Sequence, residues 1–143
     1  MDANLKREII LDNYQEPFHK GLIDDTSYCK VNTSSESCID NLDFIMKMDG
    51  DVIEDIRFDG EACAISTSVS SIFIRKLIGK TTEEAKEILN HYKNMINEKE
   101  YNADILGELN AYDEIYKQPN RKNCAMLPEE AIEKLLEELN NGE

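Results

Sequence analysis

The spacing of apolar residues changes period twice along the chain, and each change marks a different kind of element. Leu5, Ile9, Ile10 and Tyr14 share one helical face, which predicts a helix over residues 4–14. Pro17 and Gly21 close it and open a loop. Residues 22–32 hold a short strand candidate with Tyr28 and Val31 as its apolar members, and Asn32 to Ser37 reads as a polar loop. Leu42, Phe44, Met46 and Met48 then alternate with Asp43, Ile45 and Lys47, the pattern of a half-buried strand. Asp49-Gly50 predicts a hairpin with a type I′ turn. Ile56 and Phe58 alternate with Asp55 and Arg57 on the returning strand, which Asp59-Gly60 is expected to stop.

After Cys63 the period lengthens. Ile65, Val69, Ile72, Phe73 and Leu77 step by three and four, predicting an amphipathic helix over 64–78 with Gly79 as its C-terminal stop. Thr81 and Glu84 form a capping box for a further helix, whose inner face is Ala85, Ile88, Leu89, Tyr92 and Ile96. Shorter helical pieces fit residues 103–118, and Pro119 breaks the chain. Pro128 suits the first turn of a last helix, with Glu129 and Glu130 at the positive end of its dipole. Ala131, Ile132, Leu135, Leu136 and Leu139 are its buried face. This order predicts one α+β domain over residues 1–143, with a small antiparallel sheet of about three strands packed against several helices.

Composition narrows the function. With 41% hydrophobic and 32% charged residues in 143, the chain has the makeup of a globular protein with a real core. A net charge of −14 disfavours nucleic acid and anionic membrane surfaces as partners. No apolar run is long enough to span a bilayer, and residues 1–14 lack the form of a secretory signal, so a cytoplasmic location is expected. Four cysteines without a C-x-x-C pair then read as thiols rather than a disulfide framework.

Three of those thiols stand at expected element ends. Cys38, with Asp40 two residues on, precedes a strand; Cys63 lies between strand and helix; Cys124 precedes the last helix. Brought together, Cys38, Asp40, Cys63 and Cys124 would make a site of three sulfurs and one oxygen, a donor set that zinc accepts in tetrahedral geometry. The plainer alternative makes the cysteines small buried hydrophobes and Asp40 a turn residue. Cys29 fits packing better than ligation. His19 and His91 match no ligand position, and Met46 and Met48 read as strand core. Ser66, Ser68, Ser70 and Ser71 fit capping and close packing at a helix start.

The stretch Phe58-Asp59-Gly60-Glu61-Ala62-Cys63-Ala64-Ile65-Ser66-Thr67-Ser68-Val69-Ser70 resembles the central motif of the SufU/IscU family of iron–sulfur cluster assembly proteins. Gly79-Lys80, Cys38-x-Asp40 and Arg121-x-x-Cys124-Ala125-x-Leu127 match it in order, as does the opening Ile9-Ile10-Leu11-Asp12-Asn13-Tyr14 followed by Gly21. The long segment from Lys80 to Cys124, and Arg121 where IscU proteins carry histidine, favour the SufU branch. Two departures stand out. Where the family usually has Asn-Pro-x-Cys-Gly-Asp, this chain has Ser35-Glu36-Ser37-Cys38-Ile39-Asp40, so a stiff β-branched residue replaces a permissive glycine. The chain also has no tryptophan.

The resemblance implies a scaffold or sulfur-transfer protein rather than a conventional enzyme. Such proteins accept persulfide sulfur from a cysteine desulfurase and pass it to downstream assembly or acceptor proteins. They carry either a transient iron–sulfur cluster or zinc. Cys38, Asp40, Cys63 and Cys124 are the implied ligands, and Cys38 and Cys124 the implied persulfide acceptors. Arg121, three residues before Cys124, reads either as a solvated charge or as a stabiliser of a thiolate or regulator of access. A non-catalytic zinc-stabilised domain, and a degenerate member that binds partners without metal, are the alternatives.

Overall fold

The computed structural model describes residues 1–34 and 40–141. Cys38 and Ile39 therefore lie outside the described residues. Helix α1 (Ala3–Gln15) is followed by strands β1 (Cys29–Ser34), β2 (Asn41–Asp49) and β3 (Val52–Glu61). Helices α2 (Ala64–Leu77), α3 (Thr82–Ile96) and α4 (Ala103–Leu106) come next, then two 3₁₀ segments (Gly107–Tyr112 and Ile115–Lys117) and α5 (Pro119–Asn141).

The three strands form one antiparallel sheet in the order β1-β2-β3. Its register sets Phe44 opposite both Val31 and Phe58, and the two phenylalanine rings stack at 5.7 Å. As the alternation predicts, Leu42, Phe44, Met46, Ile56 and Phe58 are buried, while Met48 is only half-buried; Ile53, outside the predicted alternation, is buried too. β1 and β2 pack on α5, and β3 on α2. Ile45 is buried as well, although its phase is the polar one. Segment 19–28 crosses that face of the sheet. Tyr28 donates to Asp55 Oδ2 at 2.6 Å, Arg57 Nε donates to the Gly21 carbonyl at 2.7 Å, and His19 Nδ1 lies 2.9 Å from Asp55 Oδ1.

Helix α2 is buried nearly all round, because α1, α5 and β3 surround it. That explains its serines: a serine can share a close helix interface where its hydroxyl has a local partner. Ser70 donates to the Ser66 carbonyl at 2.7 Å, and Ser71 to the Asn13 side chain at 2.7 Å. Close packing is thus their role, and none caps the helix, whose N-cap Cys63 makes no side-chain cap bond. α3 forms as read, with the reciprocal Thr81–Glu84 capping box and its whole predicted face buried.

Five local readings need correction. β1 spans Cys29–Ser34, so Asn32 to Ser34 are strand rather than loop. On α1 the buried positions are Ile9 and Asn13, while Leu5 and Tyr14 stand exposed, because the helix meets α2 through the Asn13–Ser71 contact. In the hairpin Asp49 pairs with Val52, so Gly50 and Asp51 are the central residues, and only Gly50 has positive φ (63°). That is the pattern of a type II′ turn rather than type I′. Gly60 does not stop β3 but continues it opposite Leu42, at φ 134°. Lastly, Pro128 lies inside α5, which begins at Pro119, so Cys124 sits within the last helix rather than before it.

Candidate metal and thiol site

Three separate elements deliver the predicted donors. Asp40 immediately precedes β2, Cys63 is the N-cap of α2, and Cys124 lies in the first third of α5. One ligand atom from each lies within 4.8 Å of the others. Tetrahedral zinc, with Zn–S of about 2.3 Å and Zn–O of about 2.0 Å, needs sulfur–oxygen edges of about 3.5 Å. Cys63 Sγ already lies 3.3 Å from Asp40 Oδ2, so this donor set fits a metal with little rearrangement. Two sulfurs and one oxygen leave a fourth position, for which Cys38 is the donor expected from the sequence.

Asp40 is only 1% exposed. Burial alone would push its carboxyl up, but the surrounding donors outweigh it and hold the group below the usual carboxylate range. These are the Ser66 hydroxyl, the Cys63 amide and the Cys63 and Cys124 thiols. The Cys63 N–H donates to Oδ1 at 2.7 Å, while Ser66 Oγ makes a very close contact with Oδ2. The helix N-terminus thus uses one of its unpaired amides to fix the carboxylate. Ser66 Oγ is also 2.9 Å from the Cys124 carbonyl oxygen and 3.8 Å from Cys63 Sγ.

A 540 Å³ cavity opens beside the thiols, lined by Cys63, Cys124, Ile10, Arg7, Lys6 and Arg121 among others. Its walls are mostly apolar carbon, and its charged members are all cations in a chain of net charge −14. Lys6 is engaged by Asp113 at 2.5 Å, and Arg121 is exposed at the start of α5. Thiolates and persulfides are anions, so such a rim suits them electrostatically.

Cys29 lies away from this site, its Sγ 3.3 Å from Glu138 Oε2, and burial pushes its thiol up. His91 Nδ1 accepts from the Asn102 N–H at 3.0 Å. Among the described residues, Asp40, Cys63 and Cys124 are the one cluster with metal-ligand geometry. Sequence reasoning missed Ser66 as a partner of the site. Its place three residues after an N-cap, facing the first turn, was the available signal.

A second buried group escaped it too. Glu129 is 0% exposed, neither of its oxygens has a hydrogen-bond donor in reach among the described residues, and Lys93 is 3.8 Å away. Burial first, and then the Glu133 carboxylate beside it, push Glu129 up to about 9. As a neutral acid it can donate to Glu133, which Lys93 holds at 2.9 Å.

Residues 5–140 match the family described as NifU-like N terminal domain. The zinc-dependent sulfurtransferase SufU of Bacillus subtilis is 36% identical over 131 residues, covering 91% of this chain and 88% of that one. The iron–sulfur cluster assembly scaffold protein IscU of Streptococcus pyogenes is 30% identical over 141 residues, covering 98% and 87%. A solved structure from Fervidobacterium islandicum, proposed as an iron–sulfur cluster assembly scaffold for the SUF system, superposes with a TM-score of 0.80 at 30% identity, covering 95% and 99%. A NifU-like N-terminal structure from Brucella abortus reaches 0.85 at 16% identity over 98% and 99%, which speaks to the fold alone.

Proposed function

The chain belongs to the NifU-like N-terminal domain family, and from that premise we propose that it is a sulfur-handling protein of iron–sulfur cluster assembly. In this reading it accepts persulfide sulfur from a cysteine desulfurase in the cytoplasm and relays it to downstream acceptors, in the manner of SufU. The observation that carries this is the convergence of Asp40, Cys63 and Cys124 beside a cation-rimmed cavity.

The step needs a thiolate that can be reached. A thiolate of this chain attacks the outer sulfur of the desulfurase persulfide. The donor's S–S bond breaks, a new S–S bond forms on the acceptor cysteine, and the desulfurase cysteine leaves as thiolate, with no net redox change. Cys38 and Cys124 are the proposed acceptors. Cys124 lines the cavity, while Cys38 rests on the motif alone. Arg121, Arg7 and Lys6 favour the anionic donor at the cavity mouth. Zinc, bound by Cys38, Asp40, Cys63 and Cys124, would hold the thiolates deprotonated without electron transfer. Asp40 would be the hardest donor of the four and the least matched to a soft metal.

Incubation with a cysteine desulfurase and cysteine, followed by mass mapping, tests the proposal. Sulfane sulfur is expected on Cys124 or Cys38, together with a rise in desulfurase turnover. Absence of both would refute it. A purely structural metal fits less well, since the apolar core is built mainly from sheet and helix side chains, with Cys124 one buried member and Cys63 packed at its edge.

A further inference from the structure

An α-helix satisfies the carbonyl of residue i with the N–H of residue i+4. In α5 the partner due to the Cys124 carbonyl is Pro128, which has no N–H. A proline nine residues into a helix should therefore leave a carbonyl without its donor inside the core. Here a hydroxyl from another helix, Ser66 Oγ of α2, stands 2.9 Å from that oxygen. Ser66 is 0% exposed. We propose that Ser66 is a positioning residue of the metal and thiol site, and that Pro128 assigns it this role by withdrawing the helical donor from Cys124.

A serine hydroxyl has a single proton. Two acceptors lie around Ser66 Oγ: the Cys124 carbonyl and the Asp40 Oδ2 oxygen. The shared proton ties the α5 backbone at Cys124 to the carboxylate that precedes β2. The Cys63 N–H holds the other Asp40 oxygen at 2.7 Å, so the plane of the carboxylate is set from both sides. One side chain that is not itself a ligand thus contacts the Asp40 carboxylate, the Cys124 backbone and, at 3.8 Å, the Cys63 sulfur. Groups of this kind behind metal ligands commonly change affinity about 10–100-fold when removed.

The test uses four full-length proteins, wild type, S66A, P128A and S66A/P128A, with S66T as the variant that keeps the hydroxyl. Cobalt(II) replaces zinc as the spectroscopic probe. S66A is expected to bind cobalt about 10–100-fold more weakly, with altered d–d bands from a misoriented carboxylate, and S66T to restore both. In the metal-free proteins, S66A should lower the urea midpoint in the Pro128 parent by at least about twice as much as in the P128A parent, where the substitution restores the missing backbone N–H. Cobalt affinity within about twofold of wild type with an unchanged spectrum, or equal midpoint losses in the two parents, would overturn the proposal. Should S66A fail to fold, its rescue by P128A supports the link, and failure of the double variant overturns it. The inference rests on the metal-site reading only for its cobalt arm. Wild type that binds no cobalt would sink that reading, while the metal-free midpoints still decide the Ser66–Pro128 link.

Discussion

Glu129 offers the sharpest quantitative test of how this fold is balanced. Its carboxyl is fully buried on α5, faced by Lys93 of α3 and by Glu133 and Glu130 of its own helix, and it holds its proton to about pH 9. In the unfolded chain the same group ionises near its ordinary value of 4.5. Between those two values the folded state binds the extra proton. The group's contribution to stability is therefore complete below pH 4.5 and falls as pH rises toward 9. At about 1.36 kcal/mol per pH unit, the loss by pH 8 has a ceiling of about 5 kcal/mol, and partial relaxation around the carboxylate brings it to about 2–4 kcal/mol. Glu129→Gln keeps the shape and removes the titration. Urea unfolding of metal-free, reduced protein, followed by circular dichroism at pH 5, 6, 7 and 8, measures the difference. The two proteins should lie within about 1 kcal/mol at pH 5, and the variant should lead by about 2–4 kcal/mol at pH 8. A difference that stays constant across the series, or a variant less stable at pH 8, would refute the assignment of Glu129 as a buried neutral acid.

Three further outcomes follow from particular contacts. Gly60→Ala would drive a β-carbon into the Asn41 carbonyl and force alanine to φ 134°, so a loss of about 2–4 kcal/mol is expected in urea unfolding, with weaker metal binding because Asn41 adjoins Asp40. Tyr92→Phe removes the 2.7 Å bond to the Ala125 carbonyl behind Cys124 and should cost about 1–2 kcal/mol by the same assay. Chelation should leave the far-UV circular dichroism intact and lower only the melting temperature, since the ligands add binding energy to a fold that has its own core. Collapse of the helical signal on chelation would instead make the metal structural.

Local pattern is informative wherever one segment carries its own signal. The β2–β3 hairpin follows from alternation because one face of each strand lies against the helices. α3 follows from a capping box and a single apolar stripe, both visible between Thr81 and Ile96. Gly60 defeats local reading for a physical reason: a glycine that ends a strand and one that permits a close backbone approach look alike until Asn41 is placed beside it. α1 does so because only its partner helix decides which side is inside. The 19–28 segment pins itself to the sheet through Asp55 and Arg57, long-range bonds with no local signature.

The candidate site divides in the same way. Its candidate chemistry is legible in the chain, since the Cys38-x-Asp40, Cys63 and Cys124 motifs, taken in order, name the candidate donors and the family they resemble. Pro128, by contrast, invites a local rule that sends it to a helix start. Tertiary structure overrides that rule by bringing the Ser66 hydroxyl to the carbonyl that Pro128 leaves without its helical donor. The same packing closes α3 over Glu129 and turns an acid expected at a helix start into a buried one. Sequence alone named Asp40, Cys63 and Cys124, the groups that the fold brings within 4.8 Å of one another. Only the meeting of α2, α5 and the residue before β2 decided how they are held, because a hydrogen bond between distant segments depends on where the chain has already packed.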